Sequence, residues 1–219
     1  MDRDNQVEYW NSVADKKTFT HSIALEWFGE TVRCDGRIVD FGCGYGRVVA
    51  ILLDAGFTNV VGYDTSEQMV ERGRKSRNLP LHSIRTPADL PEEERSVDCI
   101  VLCAVLTCIP SNKGQRELLE MLCSRLKPGG LFYISDYHVN EESVKSGRYY
   151  HLDGDESNDS VFNHPEGAVF RHHTKEWIAS LLRDLEILHE KTFEAVTMNG
   201  HAAKGFQIMA RKSRTAKAP

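Results

Sequence analysis

Short apolar runs trade places along the chain with stretches whose apolar residues recur at helical spacing, so strands and helices are predicted to alternate. Val7 to Asp15 has a weak helical period, and a stronger one over Ile23-Ala24-Leu25 and Trp27-Phe28 is expected to end at Gly29. Ile38-Val39 reads as a strand that stops at Asp40. Beyond three closely spaced glycines, Val48, Val49, Leu52 and Leu53 make one helix face. Asn59 to Asp64 predicts a second strand ending at an acid, Glu67 to Arg77 a helix, and Leu81 to Arg85 a short third strand. Ser96 to Leu106 is the most apolar run in the chain, as a central parallel strand covered on both faces requires. Leucines 118, 119, 122 and 126 give a helix face, which Lys127-Pro128-Gly129-Gly130 breaks before the strand Leu131 to Ser135.

The pattern changes after Asp136. Residues 137–164 are polar and turn-rich, and a structureless stretch of that length in a compact domain is usually functional or disordered. Ala168 to His173 predicts a short strand, and Thr174 caps a helix that turns Trp177, Ile178, Leu181 and Leu182 inward. Two closing strands, from Leu185 and over Gly205 to Ala210, meet at a turn near Asn199-Gly200.

A chain of 219 residues, 41% hydrophobic and 27% charged, suits one soluble α/β domain with a sizeable core. Its net charge of −5 offers no basic field for nucleic acid, and the basic tail from Arg211 reads as a solvated terminus. The N-terminus has no apolar run after a basic start, nor do eighteen apolar residues run together, so the expectation is a cytoplasmic protein without a membrane partner. Six cysteines lack any C-x-x-C or zinc-ligand spacing and read as reduced structural thiols.

The candidate chemistry starts at Asp40-Phe41-Gly42-Cys43-Gly44-Tyr45-Gly46. Glycines here open torsions closed to other residues and let a ligand approach the main chain, while the N–H groups of the following helix favour an anionic group. A dinucleotide site needs G-x-G-x-x-G, and here the third glycine comes one place early. A phosphate loop needs Gly-Lys-Ser/Thr, whereas Gly46 is followed by Arg47-Val48. At the end of the neighbouring strand, Asp64 is placed to accept both ribose hydroxyls, or alternatively to cap the next helix together with Thr65 and Ser66.

The acid-x-Gly-x-Gly-x-Gly turn resembles the first motif of the class I, Rossmann-like S-adenosylmethionine-dependent methyltransferases of the small-molecule type. Leu126-Lys127-Pro128-Gly129-Gly130 before an apolar strand is a second match, far from the first, with Asp64 between them. The resemblance implies a doubly wound, mostly parallel seven-stranded sheet with helices on both faces and an antiparallel terminal hairpin. It also implies S-adenosyl-L-methionine as cofactor and S-adenosyl-L-homocysteine as product. By it Gly42, Cys43, Gly44 and Gly46 hold the methionine part, Asp40 positions its ammonium, Asp64 binds ribose, and Thr65 and Met69 flank the adenine. Family members usually place an Asp where Thr86 stands, so either Asp89 or backbone groups near Ala88 are expected to read the adenine amino group. Cys103, Ala104 and Thr107 fall near the transferred methyl, Cys103 as a small cavity-lining thiol rather than a nucleophile.

The division that follows is an N-terminal helical lid (1–35), a cofactor-binding core (36–136), a variable substrate-pocket segment (137–173), and a C-terminal helix and hairpin (174–212). The lid with Tyr9 and Trp10, and the variable segment, are expected to form the acceptor pocket, with Thr107, Tyr150, His151 and His201 as substrate-binding candidates. Direct in-line methyl transfer to a small-molecule nitrogen or oxygen needs alignment and, where required, proton removal. His172 is the candidate base, ahead of His151, His173 and His201. Asp153, Asp155 and Asp159 do not follow the order of a calcium loop, and no metal is expected. The alternative is a nicotinamide-dependent oxidoreductase or a non-catalytic nucleotide-binding module.

Overall fold

The computed structural model describes residues 3–152, 158, 160–198, 200 and 202–214. Helices α1 (Val7–Val13) and α2 (Leu25–Thr31) precede strand β1 (Ile38–Phe41), α3 (Arg47–Asp54), β2 (Val60–Asp64), α4 (Glu67–Arg77) and β3 (Leu81–Ser83). The order continues β4 (Val97–Cys103), α5 (Asn112–Arg125), β5 (Leu126–Tyr137), α6 (Glu141–Lys145), β6 (Val161–Asn163), β7 (Val169–Arg171), α7 (Lys175–Leu181), β8 (Leu185–Val196) and β9 (Ala202–Lys212). The main sheet has seven strands in the order β3-β2-β1-β4-β5-β9-β8, parallel except for β9, which runs antiparallel to both its neighbours. Strands β6 and β7 form a separate antiparallel pair.

The two-residue period of the central strands sorts the core into two layers. Val39, Ile100, Leu102, Phe132 and Ile134 pack with Leu118, Leu122 and Trp177 of α5 and α7. The residues between them, Ile38, Cys99, Val101, Leu131 and Tyr133, pack with Phe28, Val49, Leu52 and Val70 of α2, α3 and α4. Chain order reverses between β1 and β4, with Ile38 opposite both Val60 of β2 and Cys99 of β4, and the crevice beyond that switch point is where such sheets bind ligands.

Local chemistry sets the helix starts. Ser66, Ser111 and Thr174 are the N-caps of α4, α5 and α7, their hydroxyls accepting from the N–H groups of Met69, Gly114 and Trp177 at 3.3, 2.9 and 3.1 Å. The cap of α4 is thus Ser66, which frees Asp64 for another task.

Three elements depart from the sequence reading. Gly29 lies within α2, which runs on to Thr31, and open space surrounds it. Lys127-Pro128-Gly129-Gly130 bulges out of β5 between Leu126, opposite Val97, and Leu131, opposite Cys99, so the break sits inside the strand. The polar stretch after Asp136 carries α6 and β6, and β6 pairs with β7, with Val161 also bridging Tyr150. His201, Asn199 and the acids at 153, 155, 156 and 159 lie outside the described residues.

The N-terminal segment is stitched over the carboxyl ends of the strands. Gln6 donates to the carbonyls of Cys108 and Val169, both at 2.7 Å, and accepts from the Val169 N–H at 2.8 Å. Arg72 of α4 donates to the Ala14 and Lys17 carbonyls at 2.7 Å each, and the Ser66 hydroxyl donates to Asn11 at 2.8 Å. Farther on, Gln207 of β9 donates to the Ser22 carbonyl at 2.8 Å, and the Ala24 N–H donates to the Tyr133 hydroxyl at 2.8 Å.

Candidate active site

Between the strand ends and this segment lies a cleft of about 1450 Å³, larger than the roughly 300–1,000 Å³ of common ligand pockets. At one end the glycine turn forms its floor. Gly44 has φ +55°, a left-handed torsion, and a Cβ there would strike the Phe19 ring, so only glycine lets the segment lie this close. Phe19 in turn stacks on Tyr45 at 4.9 Å, and its N–H donates to the Tyr45 hydroxyl at 2.8 Å. Gly42, Cys43 and Gly44 line the cleft. Gly46 stands behind the turn, where a Cβ would meet Leu79 and Leu81, so its place in the fold is helix-to-strand packing.

Two acids flank the turn. Each oxygen of Asp64 accepts one backbone N–H at 2.7 Å, from Gly44 and from Ser66, which fixes the carboxylate and leaves lone pairs toward the cleft. Burial pushes its pKa up, and these backbone bonds oppose that shift. Asp40 is 1% exposed, and neither of its oxygens has a hydrogen-bond partner; the Val49 N–H faces it without reaching bonding geometry. Burial pushes its pKa up to about 7 despite the opposing charge of Arg47. An orphaned buried carboxyl on a cleft wall wants a cationic or hydrogen-donating ligand.

Thr65, Met69 and Ala88 line the same end, and Met69 is buried beside Val13 and Ala14. Asp89 is turned back on its own loop, its carboxylate accepting from the N–H and hydroxyl of Thr86 at 3.0 Å each, and it is Thr86 and Ala88 that reach the cleft. Cys103 also lines it. Burial pushes that thiol up to about 12, and the Arg47 guanidinium donates to its sulfur at 3.4 Å. Such a thiol stays protonated near neutral pH.

The other end is built from aromatic and imidazole rings. His172 lines the cleft, and its Nδ1 lies 2.6 Å from the Tyr149 hydroxyl. Burial pushes His172 down to about 3, which keeps the ring neutral. Thr107 lines the cleft but gives its hydroxyl proton to the Arg171 carbonyl at 2.8 Å, so it serves the fold first. His173 is fully buried in a separate network with Asp136, Gln115 and the Tyr137 carbonyl. Tyr9, Tyr150 and His151 stand outside the cleft: Tyr9 donates to Glu166 at 3.3 Å, Tyr150 donates to Asn163 at 3.0 Å, and His151 is exposed.

Sequence reasoning passed over His21, Arg47 and Tyr137 as site residues. His21 and Arg47 line the cleft with buried nitrogens that have no partner, and Tyr137 lies between His21 and His172. The unused arginine after the glycine turn was the available signal for Arg47. For His21 no local signal exists, because its place depends on anchors in β5 and β9. Among the described residues no helix is long and apolar enough to cross a membrane, and no cluster of three metal-ligating side chains occurs.

A doubly wound sheet with a glycine turn at its switch point and a carboxylate at the end of β2 defines a Rossmann-like cofactor-binding domain. Residues 19–187 match the family model described as a methyltransferase domain, and the chain belongs to that family, the class I S-adenosylmethionine-dependent methyltransferases. Curated relatives are ribosomal protein L11 methyltransferases: that of Paraburkholderia phymatum is 31% identical over 118 residues, and that of Shewanella baltica 29% over 132. Those matches take in 53% and 60% of this chain but only 37% and 43% of the relatives' own lengths. A Methanosarcina mazei S-adenosylmethionine-dependent methyltransferase shares the fold with TM-score 0.77 and 23% identity, over 89% of this chain and 100% of that one. The Burkholderia thailandensis 1,6-didemethyltoxoflavin-N1-methyltransferase, solved with 1,6-didemethyltoxoflavin and S-adenosylhomocysteine, aligns with TM-score 0.62 and 15% identity over 95% of this chain and 80% of that one.

The residues present fit the family's cofactor. Asp40 offers an unspent carboxyl to an ammonium, and Asp64 is held ready for a diol.

Proposed function

We propose that this chain transfers a methyl group from S-adenosylmethionine directly to a nitrogen or oxygen of a small molecule. The observation that carries this reading is a cleft too large for one ligand, whose second end is walled by His21, Tyr137, Phe162 and His172 under the anchored N-terminal segment. In that arrangement Asp40, Gly42, Cys43 and Gly44 hold the amino-acid end of the cofactor, Asp64 the ribose, and Thr65, Met69, Thr86 and Ala88 the adenine. The bound cofactor supplies a methyl on a sulfonium, open to in-line attack. The chain's own task is then to exclude water and to hold the acceptor's lone pair on that line. Residues 3–35 act as the cover and 137–173 as the acceptor-recognition segment. All six cysteines are unpaired, which suits a reducing cytoplasm.

The test is calorimetric binding of S-adenosylhomocysteine, followed by transfer of labelled methyl to amines, phenols, carboxylates and thiols, with ribosomal protein L11 as the macromolecular control. Labelling of a small acceptor supports the reading, and labelling of L11 alone removes it. Preferential binding of NAD or NADP in the same titration would instead support an oxidoreductase or a nucleotide-binding module.

A further inference from the structure

The acceptor end of the cleft contains a row of rings. His21 meets Tyr137 edge to face with centroids 4.7 Å apart, Tyr137 lies 5.7 Å from His172, and Phe162 packs its ring 4.8 Å from His172 on the other side. All four line the cleft. Anchors in the fold hold the two imidazoles where they are. The residues after His21 are tied to Gln207 and Tyr133 of the sheet. His172 is tied through Nδ1 to Tyr149, whose oxygen accepts the Asn140 N–H at 3.1 Å and faces the Ser143 hydroxyl. With its lone pairs so engaged, the phenol gives its single proton to Nδ1, which assigns His172 as the Nε2–H tautomer, a donor toward the cleft. His21 is 3% exposed, and both of its nitrogens lack any partner among the described residues. A buried imidazole with two unmet nitrogens is rare in a finished fold and calls for a ligand.

We propose that His21 and His172 grip the methyl acceptor from either side of Tyr137, and that this acceptor is a flat, uncharged N-heterocycle or phenol carrying a carbonyl or ring-nitrogen acceptor. The inference rests on the small-molecule reading above. The ring row selects flatness, since aromatic faces and edges reward planar partners. Neutral imidazoles select hydrogen-bonding groups over ions: burial pushes both rings down to about 3, with Arg47 adding to this at His21 and Arg148 at His172. The two cations on this wall are turned to other partners: Arg148 lies over the Phe162 face at 4.0 Å, and the Arg47 guanidinium donates to the Cys103 sulfur at 3.4 Å. Arg47 and Cys103 adjoin at the His21 end, which puts His21 nearest the reacting atoms and makes His172 the residue that sets the acceptor's orientation.

The experiment uses the full chain with nitrogen-15-labelled histidine, saturated with S-adenosylhomocysteine. Lumazine and 4-hydroxyquinoline are the flat uncharged probes, benzoate and benzylamine the charged ones. The two uncharged probes are expected to move the ring-nitrogen resonances of both His21 and His172, and to take labelled methyl from S-adenosylmethionine at least tenfold better than the charged ones. His21→Ala and His172→Ala should each lower that transfer at least tenfold while S-adenosylhomocysteine affinity stays within threefold, and His172→Gln, which keeps a donor, should recover part of the loss. If neither histidine responds to any flat uncharged probe, the proposal is overturned. Methylation of benzoate or benzylamine in that event leaves the small-molecule reading standing, whereas labelling of L11 alone removes both.

Discussion

The Tyr149 hydroxyl stands 2.6 Å from Nδ1 of His172, and the pair joins the segment after β5 to the end of β7. This contact fixes a tautomer. Tyr149→Phe removes the proton that Nδ1 accepts, so the ring should pass from a single Nε2–H form to a mixture of both. Long-range nitrogen–proton NMR of the histidine side chains reads this directly. One hydrogen bond to a buried neutral partner contributes about 1 kcal/mol, and urea unfolding should show a loss of that order.

Asp64 holds the turn and faces the cleft at once. Its two backbone bonds at 2.7 Å position the Gly44 loop and leave its remaining lone pairs for the ribose proposed above. Asp64→Ala should therefore weaken S-adenosylhomocysteine by roughly 10- to 100-fold, the equivalent of about 1.5–3 kcal/mol for charge-assisted bonds. Asp64→Asn keeps one acceptor oxygen and should lose less. Calorimetry on both variants checks the order.

Gly44→Ala probes the cover rather than the ligand contacts. The added Cβ meets Phe19 and must adopt a left-handed torsion, so the segment has to lift from the turn. The expected outcome is a loss of about 1–2 kcal/mol in unfolding free energy, together with faster amide exchange at Phe19, whose N–H is held by Tyr45.

The glycine-turn end of the cleft was legible in the sequence because its parts are local. Asp40, Gly42, Gly44 and Asp64 sit at strand ends, and a strand end is set by the few residues around it. Cys103 and Met69 were legible for the same reason. What escaped depends on distant pairs: His21 is placed by Gln207 and Tyr133, and Tyr149 meets His172 only because β6 pairs with β7. The roles of Thr86 and Asp89 were left open for a related reason, since three residues of loop decide which side chain turns inward, and Asp89 turned to Thr86.

Gln115 ties the floor of the acceptor end to α7. Its amide nitrogen donates to the carbonyls of Leu106 and Ile109 at 2.9 and 2.7 Å, and its oxygen accepts from the Trp177 ring N–H at 2.6 Å, from a side chain that is itself fully buried. Gln115→Ala orphans a buried indole and the Ile109 carbonyl, while the Leu106 carbonyl keeps the Ile109 N–H at 3.0 Å, and about 2–3 kcal/mol is the expected loss. Urea unfolding measures it, and S-adenosylhomocysteine affinity should change little, because Asp40 and Asp64 lie at the other end.

Asp40 makes the stability of the ligand-free protein depend on pH in an unusual sense. Its folded pKa of about 7 lies above the ordinary carboxylate value of 3.8, so between those limits the native state holds a proton that the unfolded chain has released. Stability from this group therefore falls as pH rises, by up to about 1.4 kcal/mol per pH unit. The buried imidazoles of His21 and His172, with lowered pKa values, act in the opposite sense over part of the same range, so the total curve mixes the two. Comparing wild type with Asp40→Asn isolates the carboxyl: the variant should gain on the wild type steadily from pH 4 to pH 7 and hold a constant advantage above it. S-adenosylhomocysteine, whose ammonium gives Asp40 the partner it lacks, should reverse that ranking at pH 8, stabilising the wild type more than the variant. Thermal unfolding across this pH range, with and without the ligand, reads both effects, and an Asp40→Asn curve parallel to the wild type would show that the carboxyl is already charged and partnered without it.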